Sequence, residues 1–564
     1  MQRATVLLLG GYGVFGARIA MALARDSAWD VVVAGRDLSA ANRFAKVHGT
    51  RAALIDRDAA DLSQRIAHEH PFAVVDAAGP FQDYGGDRYR VARAAVAAGA
   101  HYLDLSDDAD FTRGITALDE AAREAGVAIL SGVSSVPALS SAAVAVLSEG
   151  LTRIDLIDSV ILPGNRAPRG LSVVRAIVGQ AGRPLRVLLG GTWVDVPAWS
   201  AIDRVDLAVA GRAPLKGRWA SFIGAPDIDL FPEAFDARSV LFRAGLELKI
   251  MHGGLAMLAQ LVRWGLVATL APMAPLLKRV ADWLEPFGSD RGGMRVAVVG
   301  RDSEGRIERR TWTLVAEAGD GPHVPAVPAR VLLVDLAAAK VAAGARPAIA
   351  VFPLAAAEAA MSHLSIAFGR TREAVEPLFA EQLGRDRWST LPPALRRLHD
   401  VAFADTFAGM GEVLRGTGLA ARLIGWAMGF PPAGRNVLVN VRMQRVGTDE
   451  VWVRDFAGRR FRSRISPGGS RGSGEVREHF GLLSFAIPLA FSDGALAYPV
   501  QRAFLLGVPL PRWLTPRSET HERVDEAGRA CFDVRISMPG IGHVVSYMGW
   551  LEPVSDQHEG RPQI

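Results

Sequence analysis

Residues 7–17, LLLGGYGVFGA, carry a short apolar run into a glycine turn and out again toward a helix. Gly11, Gly13 and Gly16 fit G-x-G-x-x-G, with Tyr12, Val14 and Phe15 between them. Each glycine has its own use in such a turn. Gly11 permits the tight bend, Gly13 lets the backbone approach a pyrophosphate, and Gly16 lets the helix pack close to the sheet. The helix start then offers free N–H groups and partial positive charge to the phosphates. The pattern is weak alone, and a tight turn without ligand is the bland alternative. Its place between strand and helix is the one a dinucleotide site requires.

Working outward, residues 31–37 read VVVAGRD, a second strand ending in Gly35 and Arg36. NAD sites usually place an acid there to accept from the ribose 2′-OH. A guanidinium matches a 2′-phosphate instead, so NADP is expected over NAD, with Asp37 as the competing reading. Asp56 closes a third strand, AALIDRD, and is expected near the adenine or as a plain loop acid. In VVDAAGPFQDYG (74–85), Ala78, Gly79 and Pro80 make a narrow turn suited to pass beside the nicotinamide ribose. Phe81, Gln82 and Tyr84 are then expected to project at the carboxyl edge of the sheet, where open α/β folds bind ligands.

Short strands alternate with Ala-rich helical segments through residue 135, which predicts a parallel α/β sheet of the Rossmann kind, covered on both faces. Residues 136–375 are less regular and predict a mixed α+β domain. VLFRAGLELKI (240–250) is among its expected strands. From 385 to 555, alternating apolar and polar runs punctuated by Gly, Asp and Pro predict an antiparallel, β-rich C-terminal domain, curled or closed. Trp452, Phe456, Phe461, Tyr498 and Trp513 give that domain an aromatic layer that could enclose a hydrophobic ligand or simply form a core.

In this order and spacing, GGYGVFG, VVVAGRD, DAAGPFQDYG and AGAHYLDLS resemble the NADP-binding domain of the saccharopine dehydrogenase-like oxidoreductases. The resemblance spans residues 1–135 and runs more loosely to 375, including GVSSVPALSS at 132–141. It implies an NADP(H)-dependent oxidoreductase with a Rossmann domain at 1–135 and a substrate and dimerisation domain at 136–375. It also implies a helix returning to the first domain, which residues 326–347 fit. Residues 385–555 resemble a bacterial domain of unknown function, DUF4166, through VWVRDFAGRRFRSRI and the stretch from LGVPLPRWL to CFDVRI. That second resemblance implies no chemistry.

Composition narrows the classes. The chain carries 64 basic and 59 acidic residues, a net +5, with no Lys/Arg block interleaved with aromatics, so nucleic acid is not an expected partner. Cys531 is the sole cysteine, which excludes an intrachain disulfide and a cysteine metal site. No residues have metal-ligand spacing, and a cytoplasmic protein is expected. The apolar stretch 253–277 is interrupted by Arg263, Pro272 and Pro275. It reads as buried helices, or as a surface for peripheral membrane contact or a greasy substrate.

Candidate catalytic groups are few. No Tyr-x-x-x-Lys pair stands where short-chain dehydrogenases have it. Asp104 and Asp107, in HYLDLSDDADF at or beyond the carboxyl end of the fifth strand, could act as a base or orient a substrate amine; a helix N-cap is the alternative. Family members carry Gly-Glu where this chain has Asp107-Asp108. His252 and His323 are the second-domain candidates, each otherwise a satisfied structural histidine. Asp290 and Arg291 lie on a Gly-rich loop that could meet a polar substrate end. Two functions follow: an oxidoreductase acting on C=C, C=N or C=O of an undetermined small molecule, for which a hydrophobic, lipid-like compound is one option, or a non-catalytic NADP sensor binding lipid or a partner.

Overall fold

The apolar runs of the N-terminal region form six parallel strands in a computed structural model, which describes residues 3–554. They are β1 (Ala4–Leu9), β2 (Trp29–Gly35), β3 (Arg51–Leu54), β4 (Ala73–Asp76), β5 (His101–Asp104) and β6 (Ala128–Ser131). Their order is β6-β5-β4-β1-β2-β3. The chain therefore leaves β1 toward one edge and returns through β4 toward the other, and this reversal opens a crevice at the carboxyl ends of β1 and β4. Val6, Leu7, Leu8, Val32, Val33 and Val74 are wholly buried, as strands covered on both faces require. Helices α1 (Gly16–Leu23) and α2 (Leu38–His48) follow β1 and β2.

Segment 326–347 is more than a returning helix. The helix covers Val327–Ala337, and Gly344–Pro347 then adds a seventh parallel strand beside β6. Ala339, at φ 53°, takes the left-handed conformation that stops a helix.

The second sheet has nine strands and mixed directions, with Leu151–Leu162 at its centre beside Val240–Ala244 in parallel. The expected long strand at 240–250 stops at Ala244. At Gly245 the bare Cα lies against the Trp219 carbonyl, and Lys249 opens the helix Lys249–Arg263. The apolar stretch 253–277 is likewise broken, into the end of that helix, a turn at Ala271–Met273 and the helix Ala274–Trp283. Pro272 and Pro275 sit at the starts of the later pieces, where their missing N–H costs nothing. Among the described residues no helix is long and apolar enough to cross a membrane.

The third sheet is antiparallel throughout, with thirteen strands between Ala404 and Pro553. It runs from Ala490–Ser492 to Val508–Pro509 without those two ends pairing. Gly409 and Gly411 face Leu551 and Gly549. A Cβ on Gly409 would drive into the Trp550 carbonyl, and one on Gly549 into that of Met410. Such bare crossings let strands bend sharply, and the sheet curls around an apolar interior. The chain forms two compact units, and this sheet belongs to the second.

Candidate functional site

Gly10, rather than Gly11, carries the left-handed backbone of the glycine turn, at φ +67°. A side chain there would also meet the carbonyl of Ala77, which ties the turn to the loop after β4. Gly11 is bare for packing, since a Cβ would lie 3.0 Å from side-chain atoms of Leu8 and Val33. Gly16 has its expected use: its Cα rests on the Gly10 carbonyl and seats α1 against the sheet. Gly13 is exposed. The N–H groups of Tyr12, Val14 and Phe15 have no partner among the described residues. They form a set of free donors at the start of α1, with the chemistry a pyrophosphate needs.

At the end of β2 the two charged neighbours differ. The Asp37 carboxylate accepts from the Ala40 N–H at 2.9 Å and caps α2. Its own N–H donates to the Tyr12 hydroxyl at 3.1 Å, and the Tyr12 ring lies over the bare Cα of Gly35. Arg36 is exposed and has no ion-pair or hydrogen-bond partner among the described residues. Asp56 follows β3 beside this point, turning back to accept from the Asp58 N–H at 3.1 Å. Arg57, which the sequence reading passed over, donates to the Ala78 carbonyl and lies 3.9 Å from the centre of the Tyr84 ring. It links the third-strand loop to the Ala78–Gly79–Pro80 turn.

Phe81 and Tyr84 do not project toward a ligand. They are buried, stacked 5.2 Å apart, and packed against Phe111. The Tyr84 hydroxyl donates to Asp76, whose carboxyl burial pushes up from the usual carboxylate range. Gln82 does reach the surface, and its amide donates to Asp107 at 3.3 Å. That bond joins the loops beyond β4 and β5 at the carboxyl edge.

Residues 6–130 match the saccharopine dehydrogenase NADP binding domain family, and residues 391–551 match the domain of unknown function DUF4166. The N-terminal domain is of the saccharopine dehydrogenase type. Among solved structures, the apo saccharopine dehydrogenase (L-Glu forming) of Saccharomyces cerevisiae is 14% identical, with 66% of this chain and all of that one covered at a TM-score of 0.50. GenD2 from gentamicin A biosynthesis, solved with NAD, is 14% identical over 66% of this chain and 97% of its own, at 0.33. A meso-dapdh variant from Clostridium tetani, solved with DAP, is 13% identical over 63% of this chain and 96% of its own, also at 0.33. No curated protein matches. Over the part covered, the fold is thus dehydrogenase-like, with an NAD(P)-binding domain at its N-terminal end.

Within this saccharopine dehydrogenase-type domain, the acids at the end of β5 and just beyond it divide the work. Asp104 is wholly buried and accepts from the Ser106 and Gly132 N–H groups and the Ser131 hydroxyl, each at 2.9 Å. Burial pushes its carboxyl up to about 7, and its second oxygen has no partner among the described residues. Asp108 caps the helix Ala109–Gly114 by accepting from the Phe111 N–H at 2.7 Å. Asp107 is left exposed, with Gln82.

The histidines stand apart from these acids. His252 is wholly buried between Trp199 and Trp219. Its Nε2 meets the Ser221 hydroxyl at 2.9 Å and its Nδ1 accepts from the Leu246 N–H at 3.3 Å. Burial holds it down at about 4, so it is a neutral packing group. His323 is half-buried, held low by burial and by the charge of Arg18 on α1. Arg291 is engaged with Glu317 at 2.8 Å rather than free to meet a substrate. Among the described residues no cluster of His, Cys, Asp or Glu could hold a metal.

The DUF4166 region contains a cavity. Its curled sheet encloses a cavity of about 450 Å³ lined by Trp452, Phe456 and Tyr498 among others. Phe461 and Trp513 are not in its wall: Phe461 is buried behind it, against the rings of Phe456 and Tyr547, and Trp513 is 68% exposed.

Proposed function

We propose that the protein is an NADP(H)-dependent oxidoreductase reducing a C=C, C=N or C=O bond of an apolar small molecule. Residues 1–135 with segment 326–347 serve as the nucleotide domain, and 136–375 as the substrate and dimerisation domain. The unpartnered Arg36 beside a spent Asp37 carries the NADP reading. Tyr12, Val14 and Phe15 would hold the pyrophosphate through their N–H groups, Arg36 the 2′-phosphate, and the Ala78–Pro80 turn the nicotinamide side. NADPH, when bound, supplies the hydride. Asp107, exposed at the same edge and held by Gln82, is the group suited to deliver or accept a proton at its carboxyl. Asp104 acts beneath it as a positioning residue, fixing the loops after β5 and β6. The apolar cavity of the C-terminal sheet supports an apolar substrate.

Thermal melts with NADPH and NADH, on wild type and Arg36→Asp, test the nucleotide reading. A ligand at 100 times its Kd adds about 2.7 kcal/mol. NADPH is expected to stabilise wild type far more than NADH, and Arg36→Asp to erase the difference. Equal shifts in wild type would overturn NADP selectivity, and no shift with either nucleotide would overturn the site.

One observation favours a second reading, a non-catalytic NADP sensor. Two of the four candidate catalytic groups, Asp104 and His252, are sealed in the interior. NADPH oxidation with a panel of aldehydes, enones and imines separates the two: turnover with any of them excludes the sensor.

A further inference from the structure

The cavity of the C-terminal sheet is built by strand alternation. Trp452, Arg454 and Phe456 face it from one strand, and Val534, Ile536 and Met538 from another, as a two-residue period requires. At about 450 Å³ it falls within the range of small-molecule sites.

The charged groups in its wall are already matched. Arg454 pairs with Glu478 at 3.3 Å and donates to the Ser463 hydroxyl at 2.7 Å. Glu522 meets His399 Nε2 at 2.6 Å and accepts from the Tyr498 hydroxyl at 2.6 Å. A charged ligand would find no free counter-charge there, and burying it would cost the full desolvation. Tyr547 is different. It is also in the wall and only 8% exposed, yet its hydroxyl has no hydrogen-bond partner among the described residues. An unpartnered hydroxyl on a side chain that lines an apolar cavity calls for a polar atom from outside the chain.

The way in is apolar too. Antiparallel pairing brings Arg415, Gly434, Phe480, Leu505, Arg517 and Met538 to one end of the sheet. Around that end Leu419, Leu423, Trp426, Leu482, Leu506 and Trp513 are 65–85% exposed. The first three lie on the helix Leu419–Ala427, from which Ile424 faces the cavity. Leu505 and Leu514 belong both to the cavity wall and to the exposed rim. A hydrocarbon chain can thus pass from rim to interior without crossing a polar band.

We infer that this cavity binds an uncharged lipid, a hydrocarbon chain bearing one oxygen function, with that oxygen hydrogen-bonded to the Tyr547 hydroxyl. The inference deepens the apolar-substrate part of the proposed function, and rests on it only for the link to hydride transfer.

The test uses the full chain without nucleotide. The neutral fluorophore N-phenyl-1-naphthylamine is titrated in, then displaced with 1-dodecanol, dodecane or dodecanoate. One fluorophore per chain is expected, displaced by dodecanol at a concentration about tenfold below that needed with dodecanoate. Tyr547→Phe should bind the fluorophore as wild type does while losing about tenfold in dodecanol affinity, with dodecane unchanged. Val534→Phe, which fills the cavity, should weaken the fluorophore itself. No fluorophore binding, dodecanoate competing as well as dodecanol, or Tyr547→Phe leaving dodecanol affinity intact would each overturn the inference. A chain that passes yet shows no melting shift with NADPH keeps the lipid site and loses the reductase reading.

Discussion

Arg36 and Asp37 are adjacent and oppositely charged, and their surroundings assign them different work. Asp37 is held by the N–H of Ala40, while Arg36 has only solvent before it. Arg36→Ala should therefore weaken NADPH by roughly 10- to 100-fold, the worth of a charge-assisted hydrogen bond, and leave NADH unchanged by calorimetric titration. His252 bears on stability instead. Its folded value of about 4 lies below the ordinary 6.5, so as pH falls the unfolded chain takes up the proton first. Stability is lost between those two values, by about 3 kcal/mol in all. Asp104 acts in the opposite sense. Held near 7 against an ordinary 3.8, it keeps a proton the unfolded chain has shed, so stability falls as pH climbs through that window. Urea unfolding from pH 4 to 7 should show a shallower acid-side loss in His252→Gln, and in Asp104→Asn a smaller decline toward pH 7.

At the scale of elements, the turn and the two helices that follow it can be separated by mutation. Asp37→Ala removes the cap of α2 and should cost about 1 kcal/mol. It should not reduce the preference for NADPH over NADH, because the capping carboxylate is not the group expected to read the ribose. Gly16→Val places a side chain on the Gly10 carbonyl and should lift α1 from the sheet. Both a lower melting temperature and loss of the nucleotide shift are expected, whereas Asp37→Ala should give only the first. The turn and the parallel strands were legible because each depends on a few contiguous residues, whereas the Asp37 cap emerged only with the helix it opens. Phe81 and Tyr84 turn inward rather than projecting at the sheet edge because their aromatic partner, Phe111, comes from a helix about thirty residues on. The expected strand at 240–250 was cut short by Gly245 against Trp219, a contact the periodicity of the segment cannot show.

Across the whole molecule, the two sites belong to different sheets and can be read independently by hydrogen exchange. NADPH should protect amides at 10–16 and around 36, and dodecanol those of the strands bearing Trp452 and Tyr547. Protection by either ligand spread evenly over both regions would contradict this assignment. By itself the sequence determined the Rossmann strands, the glycine turn, the placing of Arg36 and the antiparallel character of the last region. Each is set by local spacing and by the steric limits of a few neighbouring residues. Only the tertiary structure decided that Gly10 makes the bend, that His252 is sealed between two tryptophans, and that Tyr547 faces a cavity whose charges are already paired. Those outcomes depend on residues far apart in the chain, whose burial and partners exist only once the sheets have closed around them.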